Sequence, residues 1–526
     1  MADAVNNKPL TEHSEYHKPS MRHVAGQIGA AHLYIEDADG HVIERARIPR
    51  PTNDPRDPLS WSASRRHLAF VAISSVVFLS NFSIGTVTPG LTRIIEEFDI
   101  SLSHASYLIT AQILTLGVGN LFWIPLCLKF GKRPTTIISV ALFLATSIWS
   151  TTAKSYNSLL AARILQGFGA SSSEALGPAI IADVYFLHER GTMVGIYTMA
   201  IAIGAAFGGI FAGITVHYTN SWRWGLGLHT ILTGISFLMI LFFLAETNFD
   251  RPAESELGLE AVSISDHGTA VEVAAPRSAL ATWAHSLKAW GWYDHKTSLL
   301  THFWWPIKVM YYPAVIWSSL LYGVILGWVV IEQTVDATAF PEIYGFSDLG
   351  VGNLNIAAFI GGIIGCLVGG PASDYFVAYI SRKQQGYFRP EKRLYFLVLG
   401  FIIGPIGLML WGAGLHNQLH WSVPVVGWGI TYCVLCLVPT VAITYVVDCY
   451  RPLAGETLTG MTAFKNTFAF ALSFGEASWI ARDGYVATAG YMLLIEVVLL
   501  LTGIPMCVYG ERLRNWTLKS VTEEET

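Results

Sequence analysis

Apolar residues along this chain gather into long unbroken runs instead of the spaced stripes of an amphipathic soluble fold. A helix needs about 20 mainly apolar residues to cross a bilayer core. Twelve runs of that order can be marked, over 68–90, 105–126, 135–153, 159–183, 192–216, 225–245, 312–333, 350–371, 394–414, 422–447, 457–480 and 487–508. A polar stretch from Asn248 to Met310 divides them six and six; with Glu254, Glu256, Glu260 and Pro276 it reads as a loop or partly helical linker. The first 66 residues are polar, with prolines gathered toward Pro49 to Pro58, and read as a disordered tail. The pattern predicts an all-α membrane protein, with twelve transmembrane helices in two pseudo-symmetric six-helix bundles around a central cavity. Its parts are a tail over 1–66, a bundle over 67–247, a central loop over 248–311, a second bundle over 312–509 and a tail over 510–526. No cleavable signal is evident, because the first long apolar run begins only near His67.

Composition sharpens this picture. Hydrophobic residues make up 52% of the 526 and charged residues 13%, against about 25% charged in a soluble protein. A net charge of −5 carries no nucleic-acid signature. The six cysteines (Cys127, Cys366, Cys433, Cys436, Cys449, Cys507) are spread mostly through apolar segments and form neither a disulfide framework nor a metal site. No cofactor is implied. Gly131-Lys132 is not a phosphate-binding loop, since no glycine stands five positions earlier and Arg133 follows, so direct ATP drive is excluded. His416 and His420 flank one short loop without the further clusters a membrane metal oxidase needs, and no enzyme activity is expected.

The basic residues set orientation. With the N-terminus inside, the N-terminal tail holds nine Lys and Arg, the C-terminal tail three and the inward loops fifteen, against four in the outward loops. That bias predicts both termini cytoplasmic, in a multi-pass protein expected in the plasma membrane. The halves also echo each other: Pro125 to Pro134 follows span 2, and Gly370-Pro-Ala-Ser-Asp374 with a basic loop follows span 8. Parallel six-helix repeats are an alternating-access transporter design.

Ionisable groups at membrane depth are costly unless paired or facing a cavity, so each is a candidate for function. On span 4, Arg163, Gly167, Ala170 and Glu174 share one helix face, with small residues between the charges. The two charges lie about 16 Å apart along the axis, so each needs a partner elsewhere. Lys465 and Glu476 repeat that spacing on span 11, with Asp448 as a possible partner for Lys465 and snorkelling to the interface as its bland alternative. Glu332 is placed at the outer end of span 7, after Trp317, Tyr322 and Trp328. Aromatics with a carboxylate suit a cationic or amphipathic ligand, or simply an interfacial belt. Glu496 on span 12 suggests an interhelical bond. Gly204, Gly208 and Gly209 on span 5, like Gly361, Gly362, Gly365, Gly369 and Gly370 on span 8, let helices pack closely and slide.

From about Pro49 to Trp516 the chain resembles the major facilitator superfamily, in its fungal twelve-span branch of drug:proton antiporter-like proteins. That branch stands near low-selectivity cation and polyamine transporters. The family's loop after span 2 reads Gly-x-x-x-Asp-Arg-x-Gly-Arg-Arg; Lys129, Gly131, Lys132 and Arg133 match, while Ile124 and Leu128 replace the first Gly and the Asp. The resemblance implies an inward gate whose acidic partner comes from elsewhere, and the second-half copy keeps Asp374. Arg163-Ile-Leu-Gln166-Gly167 is similar to the family's Arg-x-x-Gln-Gly signature, implicated in proton coupling. Gly191, Gly204, Gly208 and Gly209 follow the antiporter motif, with Ala205 in place of its proline.

The resemblance implies a proton-coupled secondary transporter, working as a monomer in the lipid bilayer. Its partners would be protons and a small organic substrate, drug-like or a secondary metabolite, exported from the cell. Uptake of a cationic nutrient such as a polyamine, and a non-transporting nutrient sensor, are the rival expectations.

Overall fold

A computed structural model describes residues 34–36, 42–45, 54, 56–249, 293–294, 298–383, 390–450 and 453–524. The chain divides into two compact units, 1–48 and 49–526. In the first, strands β1 (Tyr34–Glu36) and β2 (Val42–Arg45) pair antiparallel with Tyr34 opposite Arg45. The rest of the expected tail before Asp54, and most of the expected central loop, lie outside the described residues.

In the second unit, helices form where the apolar runs stand, because within a bilayer only a helix satisfies every backbone group inside its own segment. Spans 1 to 3 are Ala63–Phe98, Leu102–Phe130 and Lys132–Thr152. Span 4 is split at Ser171 into Tyr156–Ala170 and Ser172–Val184, and spans 5 and 6 are Leu187–Thr219 and Trp222–Phe243. Spans 7 and 8 are Pro313–Tyr344 and Asp348–Val377. Spans 9 to 12 are Leu397–His416, Ser422–Cys449, Ala454–Ser473 and Glu476–Leu501. Ten stretches among the described residues are apolar and long enough to cross a membrane unaided; spans 4 and 11 are not among them, span 4 being divided into helices of 15 and 13 residues. Serines cap several starts: the hydroxyls of Ser101, Ser155 and Ser347 accept from the amides of His104, Ser158 and Gly350.

Spans 1–6 form one half and spans 7–12 the other. The halves meet chiefly along span 2 against span 11 and span 5 against span 8. Span 1 starts, and span 12 ends, on the same face, here the terminus face. On the opposite, far face, spans 5 and 8 touch backbone to backbone: a Cβ on Gly213 would stand 2.7 Å from the Gly352 Cα. Of the packing glycines, Gly204 and Gly208 seat span 5 on the span 1 backbone at Phe78 and Phe82, and Gly209 seats it on Asn355 of span 8.

Four boundaries differ from the sequence reading. Span 7 runs on to Tyr344, stopped by Gly345 at φ 68°, so Glu332 lies well inside it. The helix is interrupted at Phe474-Gly475, so Glu476 opens a short segment that runs from the end of span 11 to Asp483. That segment and the remainder of span 12 are two helices that meet at Gly484, whose φ of 75° only glycine adopts freely. A last helix, Gly503–Glu524, carries regular structure through the expected C-terminal tail, held by Arg514 to Glu391 (2.8 Å) and Thr517 to the Tyr450 hydroxyl (3.0 Å). Within the expected central loop, helix Leu299–Val309 packs on spans 2 and 11, with the Phe303 ring 5.4 Å from Phe122.

Candidate functional site

A cavity of about 410 Å³ lies between the halves, walled by spans 1, 2, 4 and 5 on one side and 7, 8, 10 and 11 on the other. Its wall reaches Val194, Val447 and Leu458, all near the terminus-face ends of their spans. Toward the far face it ends near Ile84 and Gln333. Beyond that roof the halves are joined: Arg93 donates from Nη2 (2.7 Å) and Nε (3.0 Å) to Asp348 Oδ2, and Tyr107 stacks on Phe474 at 5.1 Å.

Among the described lining residues, one is acidic and one basic, and they meet. Glu174 on span 4 lies 3.5 Å from the Lys465 ammonium on span 11, with side chains 5% and 8% exposed. Lys465 also sits 4.5 Å from the centre of the Tyr322 ring on span 7, a cation–π position. The rest of the wall is mainly apolar with neutral hydroxyls and amides, including Tyr432, whose hydroxyl donates across the halves to the Ala202 carbonyl at 2.7 Å. The expected pairing of Lys465 with Asp448 does not occur, because Asp448 faces Arg393 at 3.3 Å. Lys465 is also too deeply enclosed to snorkel.

Other residues singled out from sequence stand elsewhere. Arg163 is fully buried inside the first half and does not line the cavity. Its guanidinium ties spans 1, 2 and 4 together, donating at 2.9 Å each to the carbonyls of Leu108 and Ser83 and to Gln166. Gln166 in turn donates to Ser147 at 2.8 Å. Arg163 and Glu174 do not meet in one site: Glu174 lines the cavity, while Arg163 is enclosed in the first half. Glu332 is not a wet residue at the membrane edge but is enclosed in the second half, accepting from Thr431 at 3.2 Å. One turn on, Asp336 accepts from the Trp411 indole at 2.9 Å. Trp317 lies far from both, bonded to Thr502 at 2.8 Å and edge-on to Tyr445. Glu496 packs against Gly404 of span 9 inside the same half.

The basic loop after span 2 is latched within its own half. Gly131 turns at φ 104°, Lys132 pairs with Asp183, and Arg133 donates to the Leu241 and Leu244 carbonyls. Glu246 accepts from the Lys132 and Arg133 amides at 3.1 Å each, so Asp183 and Glu246 supply the acidic side that the motif lacks. Burial pushes the Glu246 carboxyl above the usual glutamate range, against the pull of those amides and of Lys132. Lys129 lies 5.9 Å from the Tyr293 ring, and its carbonyl accepts from Asp294. In the second half Asp374 pairs with Arg393 at the matching place.

Sequence reasoning missed Tyr432, Gln333, Cys366, Cys436 and Asn466 on the cavity wall. Tyr432, Cys366 and Cys436 lie in uninterrupted apolar runs, and all five are uncharged, so no cost signal marks them. Asp336 was missed because the run was closed at 333. Asp183 and Glu246 had a signal, since a basic loop lacking its own acid needs one nearby.

A family model described as the Major Facilitator Superfamily matches residues 73–511. An uncharacterized MFS-type transporter of Schizosaccharomyces pombe is 25% identical over 540 residues, covering 94% of this chain and 91% of that one. "Efflux pump FUB11" of Gibberella moniliformis is 27% identical over 412 residues, 76% of this chain and 65% of that one. Among solved structures, the proton:xylose symporter XylE has the same fold, with a TM-score of 0.56 at 12% identity, over 86% of this chain and 96% of that one.

Proposed function

The chain belongs to the major facilitator superfamily, and we propose that it is a proton-coupled efflux carrier for a neutral, amphipathic organic molecule, drug-like or a secondary metabolite. It would work in the plasma membrane with both termini cytoplasmic, its cavity here open toward the cytoplasm. The observation that carries this reading is the Glu174–Lys465 pair, which joins the two halves on the cavity wall. The name of the efflux-pump relative agrees with the direction.

The chemistry follows from charge balance. With the pair closed the cavity is neutral, and its apolar wall receives an uncharged substrate without leaving a charge unpaired. A polycation would need several carboxylates, yet the single acid on the described wall is already engaged by Lys465. Once the halves rock to face outward, Glu174 takes a proton from outside, the pair opens and the affinity that depended on it falls. The returning carrier then bears the Lys465 charge. A membrane potential, inside negative, pulls that charge inward with about 2.3 kcal/mol per 100 mV, and each pH unit of gradient adds about 1.4 kcal/mol. The antiport is therefore electrogenic. Lys132, Arg133, Asp183 and Glu246 would form the inward gate, locked within one half while the cytoplasmic side is open.

Inverted membrane vesicles from cells producing the protein test this. An acid-inside gradient should drive accumulation of a neutral amphipathic dye such as Nile red, and Glu174→Gln should abolish the gradient dependence. Accumulation of radiolabelled spermidine in place of the dye, or dye uptake indifferent to the gradient, would overturn the proposal.

A further inference from the structure

Glu476 has no role in the cycle above, and its surroundings are unusual. It opens the short segment between Ser473 and Gly484, above the cavity roof, and is 1% exposed. Two hydroxyls stand beside its carboxyl, one from each half: Ser106 on span 2 and Thr334 on span 7. Both hydroxyl protons are already used. Ser106 donates to the Ser103 carbonyl and Thr334 to the Val330 carbonyl, each at 2.9 Å. What these hydroxyls still offer is lone pairs. An ionised carboxylate is acceptor-only and gains a bond from either hydroxyl only if that hydroxyl gives up its backbone bond, and neither carboxyl oxygen has a hydrogen-bond partner among the described residues. A carboxylic acid fits instead, because its O–H can donate to a hydroxyl oxygen of the opposite half.

No charge compensates an ionised form. On span 2 the titratable neighbours His104 and Tyr107 pack on Tyr156 and Phe474. On span 7 Glu332 and Asp336 are turned to Thr431 and Trp411. On the segment that carries Glu476, Arg482 and Asp483 pair with each other at 2.8 Å.

We propose that Glu476 is a second proton-binding site, an acid that must carry a proton for the far-face ends of the two halves to close. It rests on the transporter reading, in which those ends part. When they part, water reaches the carboxyl and accepts its proton, leaving a hydrated carboxylate. When they close, a proton must return from the far-side solvent, since shutting the seam on a bare carboxylate would bury an unpaired charge. Low pH on the far side thus favours the far-closed state.

The test reads the seam and not the flux. Val351, buried at the far-face junction, is replaced by Cys and labelled in intact cells with a membrane-impermeant maleimide between pH 5 and 8. Labelling of Leu419→Cys, in the exposed far-face loop, corrects for thiol reactivity and for the amount at the surface. Corrected labelling should rise with pH, by up to about tenfold per unit for one linked proton. Glu476→Gln, which keeps a donor for the same hydroxyls, should stay low and flat, and Glu476→Asp should keep a slope. A flat wild type, a wild-type slope in Glu476→Gln, or high labelling of Glu476→Gln at every pH would overturn the proposal. A flat seam with intact gradient-driven flux removes this site alone, whereas a pH-dependent seam without flux removes the efflux reading and leaves the site.

Discussion

Asp348→Asn is expected to loosen the far face. The bond it weakens is short and doubled, with Arg93 Nη2 at 2.7 Å and Nε at 3.0 Å from one carboxylate oxygen. Hydrogen bonds to charged groups contribute about 1.5–3 kcal/mol each. These side chains are 33% and 14% exposed, so water and salt screen the pair toward the small values of surface bridges. The asparagine also keeps one acceptor oxygen, and Arg93 keeps its 3.0 Å bond to the Asn220 carbonyl. A net loss of about 1–2 kcal/mol is left, a factor of roughly 5–30 in the closed-to-open ratio. Were the far-open state about 1% populated, it would rise to roughly 5–25%. Pulsed electron paramagnetic resonance between spin labels at positions 154 and 419, on far-face loops of the two halves, reads that population directly. The reversed pair Arg93→Asp with Asp348→Arg should restore the wild-type distances. An unchanged distance distribution in Asp348→Asn would refute the assignment of this pair as a bolt between the halves.

Three further substitutions probe other parts of the architecture. Gly352→Val places carbon atoms where the Gly213 backbone stands 2.8 Å from a Cβ; it should hold the far face open, with high far-side labelling and impaired flux even though the protein folds. Arg163→Met removes three hydrogen bonds from a fully enclosed site and leaves the Gln166 oxygen without its donor, so thermal unfolding in detergent should show a loss of about 3–5 kcal/mol, whereas a neutral result would mean that water replaces the guanidinium. Glu246→Gln tests pH dependence at the terminus-face latch. Because burial raises the folded carboxyl above its unfolded value, its contribution to stability is full below the ordinary glutamate range and is lost as pH rises through the folded value. The wild type's stability advantage over Glu246→Gln should therefore be greatest in acid and shrink upward from about pH 4.5; an advantage that grows with pH contradicts the sign.

The fold was largely legible because a bilayer leaves the backbone little choice. Runs of the right length become helices, and the errors fell where no apolar signal marks an end. Span 7 runs past Glu332 because Glu332 and Asp336 are sheltered by Thr431 and Trp411, side chains that sequence distance conceals. The helix of span 11 is interrupted at Gly475 and the chain turns at Gly484, where nothing but the absence of a side chain announces the turn. The site was legible in part. Glu174, Lys465 and Tyr322 were named for their cost or their ring and do meet, but Lys465 was assigned the wrong carboxylate. Local spacing ranks Asp448, a neighbour on the preceding span, above an acid almost 300 residues away.

Cost alone is an incomplete guide to function, because a fold can meet it in two ways. Arg163, Glu332, Asp336 and Glu496 have their neighbours within one half: carbonyls, hydroxyls, an indole and a glycine surface that keep their places however the halves move. Such groups stabilise a bundle and are indifferent to its partner. Glu174 with Lys465, Arg93 with Asp348, and Glu476 between Ser106 and Thr334 have theirs across the seam. For these the contact is present in one arrangement of the halves and absent in the other, so its free energy enters the difference between states. Only a group of that second kind can pass the energy of a proton to a movement. Which kind a residue belongs to depends on the half that carries its partner, and that is decided by tertiary packing beyond the reach of helix periodicity.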